Sequence, residues 1–272
     1  MSEREVRSVE EDARGIITPA TGLARFRLDR YPASDAAARF VDRYWLVSWD
    51  LTGQAPHTQK VLAHPVVNAV FTAGVATVTG VTTRMSVRTL EGAGWALGVM
   101  FRPAGFRPFL GGPMSSITDQ VLLLSDVFGP GGRDLRREVF AAADVAGRIG
   151  LIDRFLAARA PAGRQASEAT GELVERVAGD AGLVRVDALA AQAGVSPRQL
   201  QRRFADHVGA SPKAIIRRYR LYEAAERARH GRRVDWAALA AELGYSDQAH
   251  LTRDFSAAIG TPPHRYARAN QP

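Results

Sequence analysis

The chain has 272 residues, a formal charge of +8 and no cysteine. That length suffices for two domains with separate cores, and the missing cysteine excludes disulfides, thiolate nucleophiles and cysteine-ligated zinc. The positive excess fits a nucleic-acid partner, but of the 36 basic residues only Lys60 and Lys213 are lysine; so strong an arginine bias reads as compositional, and basicity alone decides little.

Residues 1–15 alternate acidic and basic side chains and read as a polar tail. They lack the roughly 7–15-residue apolar core of a signal peptide, and no apolar run in the chain approaches the ~20 residues of a membrane helix, so a cytoplasmic protein without membrane contact is expected. From Ile16 to Arg102 short β-type runs alternate with turn residues: Gly22 to Leu28, Tyr44 to Leu51, Val61 to Phe71, Ala76 to Val81, Met85 to Leu90 and Trp95 to Phe101. A small barrel or sandwich follows from that pattern. Helical spacing then takes over at Ser125 to Phe128, Arg133 to Ala142 and Val145 to Ala158. These segments either cover the barrel or dimerise, and residues 16–159 together form a β-rich domain with a helical C-terminal part. Residues 160–171 are small, polar and unpatterned and read as a linker.

Residues 172–268 are helical throughout and contain an internal repeat. Ala190-x3-Gly194-Val195-Ser196, Leu200-Gln201-Arg202-Arg203-Phe204 and Gly209-Ala210-Ser211-Pro212 recur as Ala240-x3-Gly244-Tyr245-Ser246, Leu251-Thr252-Arg253-Asp254-Phe255 and Gly260-Thr261-Pro262-Pro263. Each copy reads as a support helix, a tight glycine turn and a capped second helix, which is a helix-turn-helix unit. In the first copy Ser196 is placed as N-cap, Pro197 at the first helical position and Gln199 where it returns the capping bond. Leu200 and Phe204 share the buried face, leaving Arg198, Gln201 and Arg202 as base readers: Arg matches guanine and Gln matches adenine bidentately. On a lone helix the same stripe would be a solvated polar face; the duplication reverses that preference. In the second copy Ala249, Thr252 and Arg253 occupy the matching positions. Ser196, Lys213, Arg217, Gln248 and His250 are the candidate contacts to the DNA backbone.

Between the copies, Pro212 to Arg229 reads as a stiff helix whose 17 residues from Lys213 onward span roughly 25 Å. Successive major grooves on one face of a duplex lie ~34 Å apart, which such a strut and the units packed on its ends can bridge. Lys213, Arg217, Arg218 and Arg220 place positive charge along it.

These residues resemble the DNA-binding module of AraC/XylS-type transcriptional regulators. The pieces that carry the resemblance are Gly194-x-Ser196-x3-Leu200-x-Arg202-x-Phe204-x4-Gly209-x-Ser211-Pro212, Arg220-x3-Ala224 and Gly244-Tyr245-x5-Leu251-x-Arg253-x-Phe255-x4-Gly260-x-Pro262-x3-Tyr266. The front part resembles a barrel-like sensor region found ahead of this module in a subset of such regulators, through Tyr44-Trp45-x3-Trp49-Asp50-Leu51, His64-Pro65-x2-Asn68-x2-Phe71, Gly80-Val81-x-Thr83 and the run Phe101 to Phe109. The resemblance implies a cupin-like regulatory domain of unspecified ligand, and an α+β chain overall. Double-stranded DNA is the expected partner, a small-molecule effector, RNA polymerase and a second copy of the chain being the others it allows.

An effector pocket is expected around Trp45, Trp49, His64, Asn68, Trp95, Phe101 and Arg102, with aromatic side chains at strand spacing otherwise serving as core. Arg102 and Arg107 either clamp an anionic effector or form internal ion pairs with Asp50, Glu91 or Asp119. His57 and His64 alone do not furnish a cupin metal site, and no nucleophile elbow or phosphate-cradling loop is present. No metal, no cofactor and no enzymatic activity are expected. The competing readings are a metal-dependent cupin-type enzyme fused to a DNA-targeting module, and an effector-free DNA-binding protein.

Overall fold

The computed structural model describes residues 15–230 and 234–270, so nearly all of the polar tail read at residues 1–15 lies outside the described residues. The front domain is built on a six-stranded antiparallel sheet ordered β1-β2-β7-β4-β5-β8 and a two-stranded sheet β3-β6. The strands are β1 (Arg27–Pro32), β2 (Val41–Asp50), β3 (His57–Val61), β4 (Asn68–Thr72), β5 (Val75–Thr79), β6 (Ser86–Leu90), β7 (Ala93–Phe101) and β8 (Val121–Leu123). The expected strand from Gly22 starts instead as a short helix, α1 (Pro19–Leu23), because Pro19 begins a helical turn readily, and the strand follows at Arg27.

Alternation along the strands gives the large sheet two apolar faces. Tyr44, Leu46, Leu97, Val99 and Phe101 point to one side, where they meet Leu135, Val139, Ile152 and Leu156 of α3 (Pro130–Ala141) and α4 (Val145–Ala157). These helices, entered through α2 (Leu124–Phe128), therefore cover the sheet; the Tyr44 hydroxyl fixes α4 by donating to Asp153 Oδ1 at 2.6 Å. Trp45, Val47 and Trp49 point to the other side, against Phe26, Leu28, Leu51 and Leu90, so the small sheet closes a barrel-like sandwich over a second, smaller core.

The linker reading of residues 160–171 needs correction, since helix α5 (Ala166–Gly179) already begins at Ala166. A capping box between Gln165 and Glu168 starts it. Its small residues are contact positions: Ser167, Thr170 and Gly171 are buried, and a Cβ on Gly171 would lie 2.3 Å from the Pro103 carbonyl oxygen. A close helix-to-loop approach selects the same side chains as a flexible tether, and composition alone does not separate the two.

The C-terminal domain continues with α6 (Val186–Gln192), α7 (Pro197–His207), α8 (Pro212–His230), α9 (Trp236–Glu242), α10 (Gln248–Ile259) and α11 (Pro263–Asn270). Helix α8 is buried on most of its circumference, with Lys213, Arg217 and Arg227 exposed along one narrow side. Ile215 and Ile216 enter the core of the first unit with Leu200 and Phe204, and Leu221, Ala224, Ala225 and Ala228 enter the core of the second with Leu251 and Phe255. Leu62 and Ile17 of the front domain complete that second core.

The two domains are joined along a polar seam. Arg218 is buried and donates to the carbonyls of Ala63 (3.1 Å) and Thr82 (3.2 Å), while the Tyr222 hydroxyl donates to Leu62 O. Arg39 holds Glu168 of α5 with two bonds, of 2.6 and 2.9 Å, and also donates to Pro161, Ala162 and Gly163 oxygens, pinning the connecting segment. Arg107 reaches Asp206 at the end of α7 at 3.0 Å, and Thr118 donates to Gly209 O.

Candidate nucleic-acid interface

In the first unit α6 and α7 meet through a turn at Gly194, whose φ of 63° is a left-handed conformation that costs glycine little. Ser196 accepts from Gln199 N, and Gln199 Oε1 accepts from Ser196 N at 2.9 Å, so the second helix begins sharply at Pro197. Leu200 and Phe204 are fully buried; Arg198, Gln201, Arg202 and Arg203 are exposed on the opposite side. The structure thus places the three expected readers of this unit on one open stripe of α7.

The second unit keeps the glycine turn, with φ of 69° at Gly244, but is capped differently. The residue matching Ser196 is Ser246, yet the cap is Asp247, which accepts from His250 N at 2.7 Å. One additional residue between turn and helix is absorbed by moving the cap, and Leu251 and Phe255 still reach the buried positions of Leu200 and Phe204. Ala249 and Arg253 are exposed and Thr252 is partly covered. The ionised Asp247 is favoured by the His250 backbone bond first and by Ser246 Oγ second, which hold its carboxyl below the usual range.

The candidate backbone contacts divide. Lys213 and Gln248 are exposed. Ser196 is occupied by its capping box, and His250 stands edge-on to Tyr245 with Nδ1 3.1 Å from Ser246 Oγ. Arg217 is bound by Asp254 on α10. The uniform positive stripe expected along the linking helix is not what forms: Arg218 turns into the front domain and Arg220 donates to Val184 O above the Tyr245 ring. Burial on both sides of α8 leaves inward space for guanidinium groups only where carbonyls receive them, and the helical spacing of arginines does not disclose those carbonyls.

The seven expected effector-pocket residues are not gathered into one chamber. Trp45 lies across Gly98 and donates to Asn68 Oδ1 at 3.2 Å, and Trp49 lies across Gly94 and donates to Glu91 O, both on the small-core side. Trp95 is on the opposite face, against Phe140 and under the Arg148 guanidinium at 4.1 Å. Phe101 packs edge-to-face with Phe106, its exposure 1%. His64 stacks on Tyr222 of α8. Arg102 and Arg107 pair with none of Asp50, Glu91 and Asp119, the partners weighed for them within the front domain; they bind Glu175 and Asp206 of the C-terminal domain instead. The second partners come from a later domain, which no local pattern reveals. His57 bonds with Gln59 and faces Phe26, far from the use made of His64.

His64 and Phe101 do line a cavity of about 410 Å³ at the seam, together with Asp42, Glu175, Tyr219 and Tyr222. Of these only His64 and Phe101 carry a sequence signal for ligand binding, since the tyrosines read as helix packing.

Two helix-turn-helix units built on one shared helix and mounted on a β domain define a DNA-binding module with an attached second domain. Residues 189–269 match the family described as Helix-turn-helix domain, and residues 29–123 match a Domain of unknown function (DUF6597). The chain thus carries a domain of unknown function ahead of a helix-turn-helix domain. It is 34% identical over 88 residues to the HTH-type transcriptional regulator Rv1931c of Mycobacterium tuberculosis, covering 32% of this chain and 34% of that one. The chain spans about a third of the length of the curated relative it matches. Among solved structures, ToxT from Vibrio cholerae aligns at 11% identity over 90% of this chain and 99% of its own, with a TM-score of 0.40; CdpR from Pseudomonas aeruginosa aligns at 18% over 65% and 46%, with a TM-score of 0.29. No helix among the described residues is long and apolar enough to cross a membrane.

Proposed function

We propose that this protein is a non-enzymatic, sequence-specific DNA-binding transcriptional regulator of the cytoplasm, whose front domain responds to a small molecule. The single observation that carries the reading is the pair of recognition helices, each seated on α8 by a buried Leu and Phe and each turning a hydrogen-bonding stripe to solvent. Arg198, Gln201 and Arg202 are the base readers of the first unit, Ala249, Thr252 and Arg253 those of the second, and Lys213 and Gln248 contact phosphates. The second stripe has less hydrogen-bonding reach, so the first dominates base discrimination. Helix α8, 19 residues and roughly 28 Å long, sets the separation of the units.

As a regulator of this type it would meet RNA polymerase at the promoter, and a second copy of the chain where sites are paired. The test is an unbiased selection of oligonucleotides bound by the full chain. Two blocks of preferred bases, about one helical turn apart, are expected. Binding to every duplex with equal affinity, or to none, overturns the reading.

A further inference from the structure

The front domain meets the two helix-turn-helix units at the same position of the repeat. Gly209 follows the first recognition helix and Gly260 the second. A Cβ on Gly209 would lie 2.9 Å from Met114 O and 3.1 Å from Thr118 Oγ1, and Thr118 donates to Gly209 O. A Cβ on Gly260 would lie 3.7 Å from Met85 Cε, and Met85 packs on the core of the second unit.

These two front-domain contacts are distant in sequence, and Asp119 ties them together. Its Oδ1 accepts from Thr83 N at 2.7 Å and from Thr82 Oγ1 at 3.3 Å, and its Oδ2 accepts from Thr83 Oγ1 at 2.6 Å. Its own N–H donates to Val81 O at 3.0 Å. Thr118, the residue before it, holds the first unit, and Met85, just beyond Thr83, holds the second. Thr82 is also the residue whose carbonyl receives Arg218 from the middle of α8. A closed frame results, with Thr118, Asp119, Thr83 and Met85 on one side and α8 on the other. Burial opposes ionisation of Asp119, but the bonds from Thr83 and Thr82 outweigh it and hold the carboxyl below its usual range.

A single helix fixes the separation of two units along its axis, and a second tie at the ends of the recognition helices fixes their rotation about it. Rotation matters because one base pair added between two blocks of a duplex shifts the second by about 3.4 Å and turns it by about a tenth of a turn. We propose that Asp119 is a positioning residue for DNA recognition: through Thr82 and Thr83 it locks the relative rotation of the two recognition helices and so sets the spacing of base blocks that the chain accepts. The inference rests on the regulator reading for its consequence on DNA, whereas the lock itself is tested without DNA.

The chain has no cysteine, so Ala205→Cys on α7 and Ala257→Cys on α10, both exposed, take one spin label each. Pulsed electron–electron resonance on the full chain reads the distance between them. On the unlabelled chain, competition binding reads the preference for the selected duplex over duplexes with one base pair added or removed between the two blocks. A single narrow distance distribution and a spacing preference of at least about 10-fold are expected. Asp119→Ala, and separately Thr82→Val with Thr83→Val, should each broaden the distribution and reduce the spacing preference to about 3-fold or less. Asp119→Asn keeps an acceptor and tolerates the left-handed φ of 58° at this position as Asp does, so it should retain both parental readouts. Thermal unfolding checks that each variant is folded; if Asp119→Ala is not, the threonine pair is the deciding measurement. A broad distribution in the parent, or a distribution or spacing preference unchanged in the folded variants, overturns the proposal. A parent without any sequence preference removes the regulator reading and leaves the label distances to decide the lock, so the two conclusions fail separately.

Discussion

Arg217 of α8 and Asp254 of α10 meet in a two-pronged bond, the guanidinium Nε and Nη2 each 2.8 Å from a carboxylate oxygen. The linking helix thereby grips the second recognition helix directly, and the charge that spacing alone assigns to a phosphate is already neutralised inside the protein. Arg217→Ala should therefore leave the salt slope of DNA binding nearly unchanged, whereas Lys213→Ala lowers it by roughly 0.9. Anisotropy titrations between about 50 and 200 mM salt distinguish the two. With Arg217 half-exposed, the pair contributes only about 0.2–1 kcal/mol to stability, read as a small fall in the thermal midpoint.

Arg202 sits at the centre of the exposed stripe of α7. Arg202→Ala should cost about 1–3 kcal/mol of binding to the selected sequence and relax preference at one base pair, without changing thermal stability. Arg203→Ala, an exposed change beside it on the same helix, is the comparison: it should leave base preference unaltered in competition assays. Equal relaxation by both would place the reading stripe elsewhere.

At the domain seam Gly171→Val would drive a side chain into the Pro103 carbonyl. A cost of about 1–3 kcal/mol is expected in denaturant unfolding, since the close approach is to backbone that a rotamer change does not relieve. Gly163→Ala, which meets nothing within 4 Å, should stay within about 0.5 kcal/mol of the parent.

His207 at the end of α7 faces Thr170 of α5 at 2.7 Å and lies 3.3 Å from Asp206, with Arg107 and Arg203 nearby. Burial is the largest influence and lowers its proton affinity; the Asp206 charge opposes this and the two arginines add to it. The ring is therefore neutral in the folded protein where an unfolded one is already charged. Stability from this group is complete above the unfolded value of about 6.5 and is lost as pH falls through the lower folded value. The thermal midpoint should decline from about pH 7 downward, and His207→Gln should flatten the part of that decline above the carboxylate range. An unaltered profile in the variant would remove His207 from the account.

The first recognition helix was legible because its signals are local. A glycine turn, a serine cap, a proline at the first helical position and a Leu/Phe pair four residues apart all lie within eleven residues, and the structure uses each for that purpose. Most strands of the front domain were legible for the same reason; the exceptions are the three-residue β8, the helical turn at Pro19 that displaces β1, and β3, which ends at Val61 where the expected run to Phe71 begins, only Asn68 to Phe71 of that run lying in β4. What escaped was everything set by distant partners. Arg102, Arg107 and Arg218 find acceptors 73, 99 and 155 residues away, and a guanidinium that will be buried against carbonyls has the same sequence signature as one left in water. The seam cavity escaped on the same grounds, because Asp42, Glu175 and Tyr219 share a wall only after both domains have docked.

Arg218 grips the front domain through the oxygens of Ala63 and Thr82, and Tyr222 does so through that of Leu62. Peptide carbonyls are common to every amino acid, so these bonds place no demand on the side chains of Ala63 and Thr82, whereas Leu62 is also held by its own burial in the second core. The joint is thus keyed from both sides by different means: α8 reads the backbone path of the front domain, whereas Arg39, Arg102 and Arg107 of the front domain require particular carboxylates, Glu168, Glu175 and Asp206, on the C-terminal one.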